Sequence, residues 1–64
     1  MRERWVELEA TCLATTEQAI LVEVDNEEFW IPRSQLSEDS EVADKGDEGT
    51  LIVTRWVAEQ KGLA

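Results

Sequence analysis

The segment Ala19–Leu36, AILVEVDNEEFWIPRSQL, most constrains what this chain can fold into. Apolar residues recur at alternate positions from Ile20 to Val24, the period of a half-buried strand. The polar run Asp25–Glu28 follows, and Asp and Asn suit a tight turn because they tolerate left-handed backbone. The segment therefore predicts a β-hairpin.

The hydrophobic pattern also predicts the register of this hairpin. A loop centred on Asn26-Glu27 would pair Val24 with Phe29. The same register would pair Val22 with Ile31, so that both apolar pairs fall on one face. We expect that face to lie on the core.

The rest of the chain predicts two more strands. Trp5–Thr15 alternates in the same way, and its small residues Ala10 and Ala14 suggest a bend. Thr50–Val57 is rich in β-branched residues and predicts the last strand. In the hairpin we expect strands over Ala19–Asp25 and Glu28–Ile31.

Short turns are expected after the third and last strands. Pro32 cannot donate to a ladder, and Arg33–Leu36 predicts a single 3₁₀ turn. Ala58–Lys61 predicts one helical turn, with Gly62 at the left-handed position after it and Leu63 making the apolar contact that accompanies such a cap.

Residues 37–49 are expected to form a mobile acidic loop, since the segment is almost devoid of apolar side chains. It could present an acidic rim to a partner. The residues proposed for that rim are Glu38, Asp39, Glu41, Asp44, Asp47 and Glu48.

These elements predict one domain over residues 1–64, of mainly β class. We expect a small antiparallel, SH3-like, partly open barrel of four or five strands with a short C-terminal helical turn. A plain antiparallel meander sheet is the alternative.

A chain of 64 residues has a small core and commonly needs further support from a disulfide, a metal or a second subunit. Cys12 is the single cysteine, which excludes an internal disulfide, and the chain has no His for a zinc site. Asp44, Asp47 and Glu48 do not follow the spacing of a calcium loop. We therefore expect no metal or cofactor, and a homodimer.

The net charge of −9 constrains the choice of partners. It repels nucleic-acid backbones and anionic membranes and favours basic partners, although such charge can also serve solubility alone. The N-terminus lacks the apolar core of a signal peptide, and no apolar run could span a bilayer, so a cytoplasmic protein is expected.

Catalysis is not expected, because the chain lacks His and Tyr and Cys12 should be a buried core thiol. Three tryptophans are the sharper feature. Alternation places Trp5, Leu13, Leu21 and Trp30 on the second face of the strands, and the face of Trp56 is left open. These five residues are the candidates for a partner or dimer interface. A closed barrel or the C-terminal turn could cover that face instead, or nucleic-acid bases could stack on it.

Two segments, ILVEVDNEEFWIPRSQL and GTLIVTRWVAEQKGL, carry a resemblance to a group of small phage, prophage and bacterial proteins. The group's W-I-P-x-S-Q-hydrophobic element is matched at Trp30–Pro32 and Ser34–Leu36, whereas Asn26 stands where a turn glycine is usual. The chain also shows a faint likeness to SH3 domains, but it lacks their groove tyrosines, so proline-peptide binding is not implied.

The resemblance implies a phage or mobile-element setting. Small acidic phage proteins often inhibit host machinery or defence systems, so a comparable role is expected by analogy. The sequence thus predicts an acidic, non-enzymatic protein-binding module that acts on a host protein. The alternative is a nucleic-acid accessory factor that stacks bases on the tryptophans.

Overall fold

The computed structural model describes residues 4–63; residues 1–3, with the start of the N-terminal segment considered for a signal peptide, and residue 64 lie outside the described residues. Four strands, one 3₁₀ turn and one short helix follow in chain order. They are β1 (Trp5–Thr15), β2 (Ala19–Val24), β3 (Glu27–Pro32), the 3₁₀ turn (Arg33–Gln35), β4 (Glu48–Thr54) and α1 (Arg55–Gln60).

All the strand pairs are antiparallel, and the sheet order is β3-β2-β1-β4. Three strands follow one another as neighbours and the fourth returns to lie beside the first, which is the Greek-key order. The predicted mainly β fold with a C-terminal helical turn is confirmed. The sheet is open and does not close into a barrel.

The β2–β3 hairpin has a tighter turn than the sequence suggested. Val22 pairs with Phe29, and Val24 pairs with Glu27. Asp25 and Asn26 alone form the loop, with φ of 54° and 69°, as in a type I′ turn. The predicted register was therefore wrong by two residues, because Glu27 belongs to the strand.

The two-residue error leaves every side chain of the hairpin on its predicted face, since the strand period is two. Leu21 is opposite Trp30, and Ile20 is opposite Ile31. Ile20, Val22 and Ile31 are all fully buried, as expected of the core face.

The pairing of β1 with β2 contains a β-bulge. Cys12 is opposite Val22, but the next partners are Ala14 and Leu21, so Leu13 is the extra residue. The bulge places Ala14 on the face of Leu21, whereas uninterrupted alternation from Cys12 predicts the core face, and that prediction is wrong. The small residues Ala10 and Ala14 predict a bend in β1, and a β-bulge is a feature at which strands commonly bend.

The last strand ends earlier than predicted. Arg55–Val57 begins α1 instead of extending β4, because the Thr54 hydroxyl accepts a hydrogen bond from the Val57 N–H at 3.2 Å and caps the helix. Val57 and Ala58 are then buried against the sheet.

The predicted C-terminal cap is present. Gly62 has a φ of 76°, which favours glycine. Its N–H donates to the Glu59 carbonyl, and the Leu63 N–H donates to the Ala58 carbonyl at 2.7 Å. This is the Schellman arrangement, and Leu63 packs on the core beside it.

The connection from residue 36 to residue 47 lies along the edge of β4. The Ser37 N–H donates to the Ile52 carbonyl and the Glu41 N–H donates to the Thr50 carbonyl, both at 2.9 Å. Val42 is fully buried in the core. The expectation of a loop that buries almost nothing apolar was wrong, since one valine completes the core and polar residues cover the strand edge.

No helix within residues 4–63 is long and apolar enough to cross a bilayer.

Candidate functional site

The sheet has one covered and one uncovered face. The helix and Val42 join the core on the side of Cys12, Val22 and Leu51. We call the opposite side the outer face, and strand alternation assigns its residues. They are Trp5, Glu7, Glu9, Thr11, Ala14, Ala19, Leu21, Glu23, Glu28, Trp30, Pro32, Glu48, Thr50, Ile52 and Thr54. None of them is buried.

A band of carboxylates crosses the middle of the outer face. Glu28 pairs with Glu23, Glu23 pairs with Thr11, and Thr11 pairs with Glu48, so one row spans all four strands. Glu9 lies two residues along β1 from Thr11. Like charges placed directly opposite each other, such as Glu23 and Glu28, destabilise a sheet. The chain therefore retains charge on this face at a cost in stability.

A shallow depression of about 280 Å³ lies in this band. Its walls include the acidic side chains of Glu9, Glu23, Asp25 and Glu48. The remaining lining residues within the described chain are Ala10, Thr11 and Asn26, so no cationic side chain lines the depression. Its chemistry suits a positively charged group from a partner.

An apolar patch lies next to the carboxylate band. Trp30 and Leu21 are cross-strand partners, and Ala14 continues the row on β1. Leu13, at the bulge, is half-buried in the same part of β1. Trp30 remains 46% exposed, so this patch has not been absorbed into the core.

The other two tryptophans lie at the far end of the sheet. Trp5 pairs with Thr54. It lies nine residues before Ala14 on β1, and nine residues of strand span about 30 Å. Trp56 follows Thr54 by two residues and is 60% exposed on α1. The five apolar candidates therefore do not form one patch: Leu13, Leu21 and Trp30 come together, whereas Trp5 and Trp56 are separated from them.

The six residues of the predicted acidic rim are also dispersed. Glu38 and Asp39 border a groove of about 410 Å³ whose other side is Trp5. Glu48 belongs to the carboxylate band. Glu41 serves the fold, because its Oε1 accepts a hydrogen bond from the Thr50 N–H at 3.0 Å.

Asp47 has a structural role as well. Its Oδ2 accepts hydrogen bonds from the backbone N–H groups of Asp44 at 2.9 Å and Ala43 at 3.1 Å. These bonds lower the pKa of the Asp47 carboxyl, the one from Asp44 most strongly. Asp44 is exposed in the same turn.

Cys12 lies in the core as a free thiol. Burial raises the pKa of the Cys12 thiol, which keeps it protonated and unreactive. Among residues 4–63, no group of three or more His, Cys, Asp or Glu side chains is arranged to hold a metal ion. Neither observation supplies chemistry to the outer face.

The comparison with known protein families, curated proteins and solved structures gave no match. The resemblance to the small phage proteins and the faint SH3 likeness therefore stay predictions.

Apart from Glu48, the acidic residues of the outer face were missed as candidates, although the sequence carries a signal for them. Glu7 and Glu9 alternate with Val6 and Leu8 on β1. That alternation places both carboxylates on the face of Trp5. What the sequence does not show is that β2, β3 and β4 bring Glu23, Glu28 and Glu48 into one band with Glu9.

Proposed function

We propose that this protein is a non-enzymatic binding module whose outer face docks a basic surface of a protein partner. The observation that carries the proposal is the carboxylate band between two ends that bear exposed tryptophans. Complementary charge increases the rate of encounter and selects the partner, and aromatic side chains supply contact energy.

The arrangement of charge favours this function over solubility alone. Carboxylates that serve solubility can be spread over a surface, where they repel one another little. Glu23 and Glu28 instead lie directly opposite each other, and Glu9 and Glu48 line one depression with Glu23. A cationic partner would remove this repulsion, so the band gains more from binding than dispersed acids would.

The carboxylates near the tryptophans argue against nucleic acid as the ligand. Trp30 lies two residues from Glu28 along β3, and the Trp5 groove is bordered by Glu38 and Asp39. A strand whose bases stacked on either ring would bring its phosphates close to these carboxylates.

The test is titration calorimetry with a lysine-rich synthetic peptide and two charge-matched variants. Glu9→Gln/Glu23→Gln/Glu48→Gln neutralises the depression. Glu17→Gln/Glu38→Gln/Glu59→Gln removes the same charge from exposed positions elsewhere. We expect the first variant to bind at least about tenfold more weakly than the wild type and the second to change affinity by less than about threefold.

Equal losses in the two variants would show that only net charge attracts the peptide, and would contradict a docking face. Circular dichroism of both variants is the control for folding. Both triple variants lie outside the core, so folding is expected to survive.

Homodimerisation stays a prediction. A second copy would pack on the patch of Leu21, Trp30 and Ala14. The carboxylate bands of the two copies would then face and repel each other. Added salt should therefore strengthen self-association while it weakens the binding of a basic partner. Light scattering over a salt series, with Trp30→Ala as the variant that weakens the patch, measures this.

A further inference from the structure

One edge of the sheet is covered and the other is open. Along β4, the backbone groups of Thr50 and Ile52 bond to the connection, as described above. β3 forms the opposite edge, and among the described residues the strand order places no neighbour beyond it. An open edge offers backbone donors and acceptors to an added strand.

The hairpin geometry identifies which groups of β3 are offered. Val24 and Glu27 close a two-residue turn, so they form a hydrogen-bonded pair, and pairs of this kind recur every second residue. The bond from the Arg33 N–H to the Gln18 carbonyl at 2.8 Å belongs to the same series. Phe29 therefore directs its backbone toward β2, whereas Glu28 and Trp30 direct theirs away from the sheet.

These two residues also place their side chains on the outer face. Glu28 ends the carboxylate band and Trp30 ends the apolar patch. A strand added beside β3 would thus present one side chain to a carboxylate and another, two residues away, to an indole.

We propose that the partner docks by adding an extended basic segment to the free edge of β3, a mode that rests on the proposed function and specifies it. In an antiparallel strand, an apolar residue opposite Trp30 precedes a Lys or Arg opposite Glu28 by two positions. The segment therefore has the pattern apolar-x-basic. Backbone hydrogen bonds supply affinity, and the two side chains supply specificity.

Charge selects this occupant over a second copy of the chain. Glu27 and Glu28 are both exposed at the edge, and two such edges side by side would oppose four carboxylates. Pro32 has no N–H to donate, so the open ladder is short. A cationic segment turns the same carboxylates into attractive contacts.

The test uses the full chain and the synthetic peptide Ser-Thr-Val-Thr-Lys-Thr-Ser in three forms. In the proposed register, the Val and Lys amides face β3 and the central Thr amide faces away. We expect N-methylation of the Lys amide to weaken binding at least about tenfold, and the same modification of the central Thr to weaken it less than about threefold.

A protein variant gives a second measure. Glu28→Pro removes an outward N–H, which an edge strand tolerates, together with the Glu28 carboxylate. It should therefore weaken the unmodified peptide more than Glu28→Gln, which removes the charge alone, while the protein stays folded. If Glu28→Pro does not fold, binding of the methylated peptides to the wild-type protein still tests strand addition.

Three results would overturn edge addition. The two methylations could weaken binding equally, or the unmodified peptide could fail to bind. The third is self-association of the protein that the peptide reverses by competition. The glutamine variant of Glu9, Glu23 and Glu48 separates this failure from that of the proposed function. This variant could lose affinity for the lysine-rich peptide while the two methylated peptides bind the wild-type protein equally well. Docking on the outer face would then be supported and strand addition would be contradicted.

Discussion

At the scale of single residues, Asp47 shows how an acid of this chain serves the fold. Its carboxylate accepts hydrogen bonds from two backbone N–H groups of the preceding turn. The same residue's carbonyl accepts from the Cys12 N–H at 2.8 Å, and the Gly46 N–H donates to the Cys12 carbonyl at 2.9 Å. Asp47 thus helps to fix the connection against β1.

The lowered pKa of Asp47 predicts a pH dependence of stability. A carboxyl whose pKa is depressed by folding stabilises the native state above its unfolded pKa, and this contribution is lost as the pH falls through the folded pKa. Asp47→Asn keeps an acceptor oxygen but loses the charge. We expect it to be less stable than the wild type at pH 7, with the difference closing in acid.

Urea denaturation at several pH values measures this effect. Asp44→Asn is the control, because it removes an equal charge from the same turn without the two hydrogen bonds. A loss of stability of Asp47→Asn that did not depend on pH would contradict the assigned role of the ionised carboxylate.

At the scale of elements, the connection between β3 and β4 is part of the core. Val42 is as buried as the central residues of the strands. Val42→Ala should lower the free energy of unfolding by about 2 kcal/mol, from the lost apolar contact and the cavity. Lys45→Ala, in the exposed part of the same segment, should change it little.

Replacement of residues 40–49 by a short Gly-Ser linker extends the same test. It removes Val42 and the first two residues of β4 and exposes the edge of that strand, so we expect the protein to unfold or to lose most of its thermal stability. A thermal midpoint within a few degrees of the wild type would show that the connection is dispensable.

The cross-strand pair Glu23–Glu28 allows a test of the carboxylate band in the absence of a partner. Glu23→Lys converts repulsion into attraction and should raise stability by about 0.2–1 kcal/mol. Glu28→Lys should do the same. The double variant restores a like-charge pair, so the two gains should not add.

Additive gains in this cycle would show that each lysine acts only through the net charge. The two glutamates would then be too far apart to interact, and their charge would not destabilise the sheet.

At the scale of the whole molecule, the sequence predicted the strands and their faces but not how the chain joins them. Period-two alternation identified β1 and β2, the turn residues after β2 identified β3, and β-branched content identified β4. The hairpin register depended on whether Glu27 belongs to the turn or to the strand, which local composition leaves open. The start of α1 was missed because Arg55–Val57 also suits a strand, and the Thr54 cap decides between them.

The candidate site was less predictable because it depends on pairing. The tryptophans were identified as surplus apolar residues, and their exposure agrees with that. The distance between Trp5 and Trp30 across the sheet could not be known without the pairing of the strands. Val42 is a lone valine in a polar segment, and nothing in its neighbours indicates that it enters the core.

Docking on the outer face is tested most directly by mapping the backbone amide chemical shifts during titration with the lysine-rich peptide. If the outer face is the docking surface, the largest changes fall on Thr11, Glu23, Glu48 and the adjacent β3 residues, and the amides of α1 move little. Changes confined to the connection and the Trp5 groove, or spread evenly over all exposed acids, would contradict it.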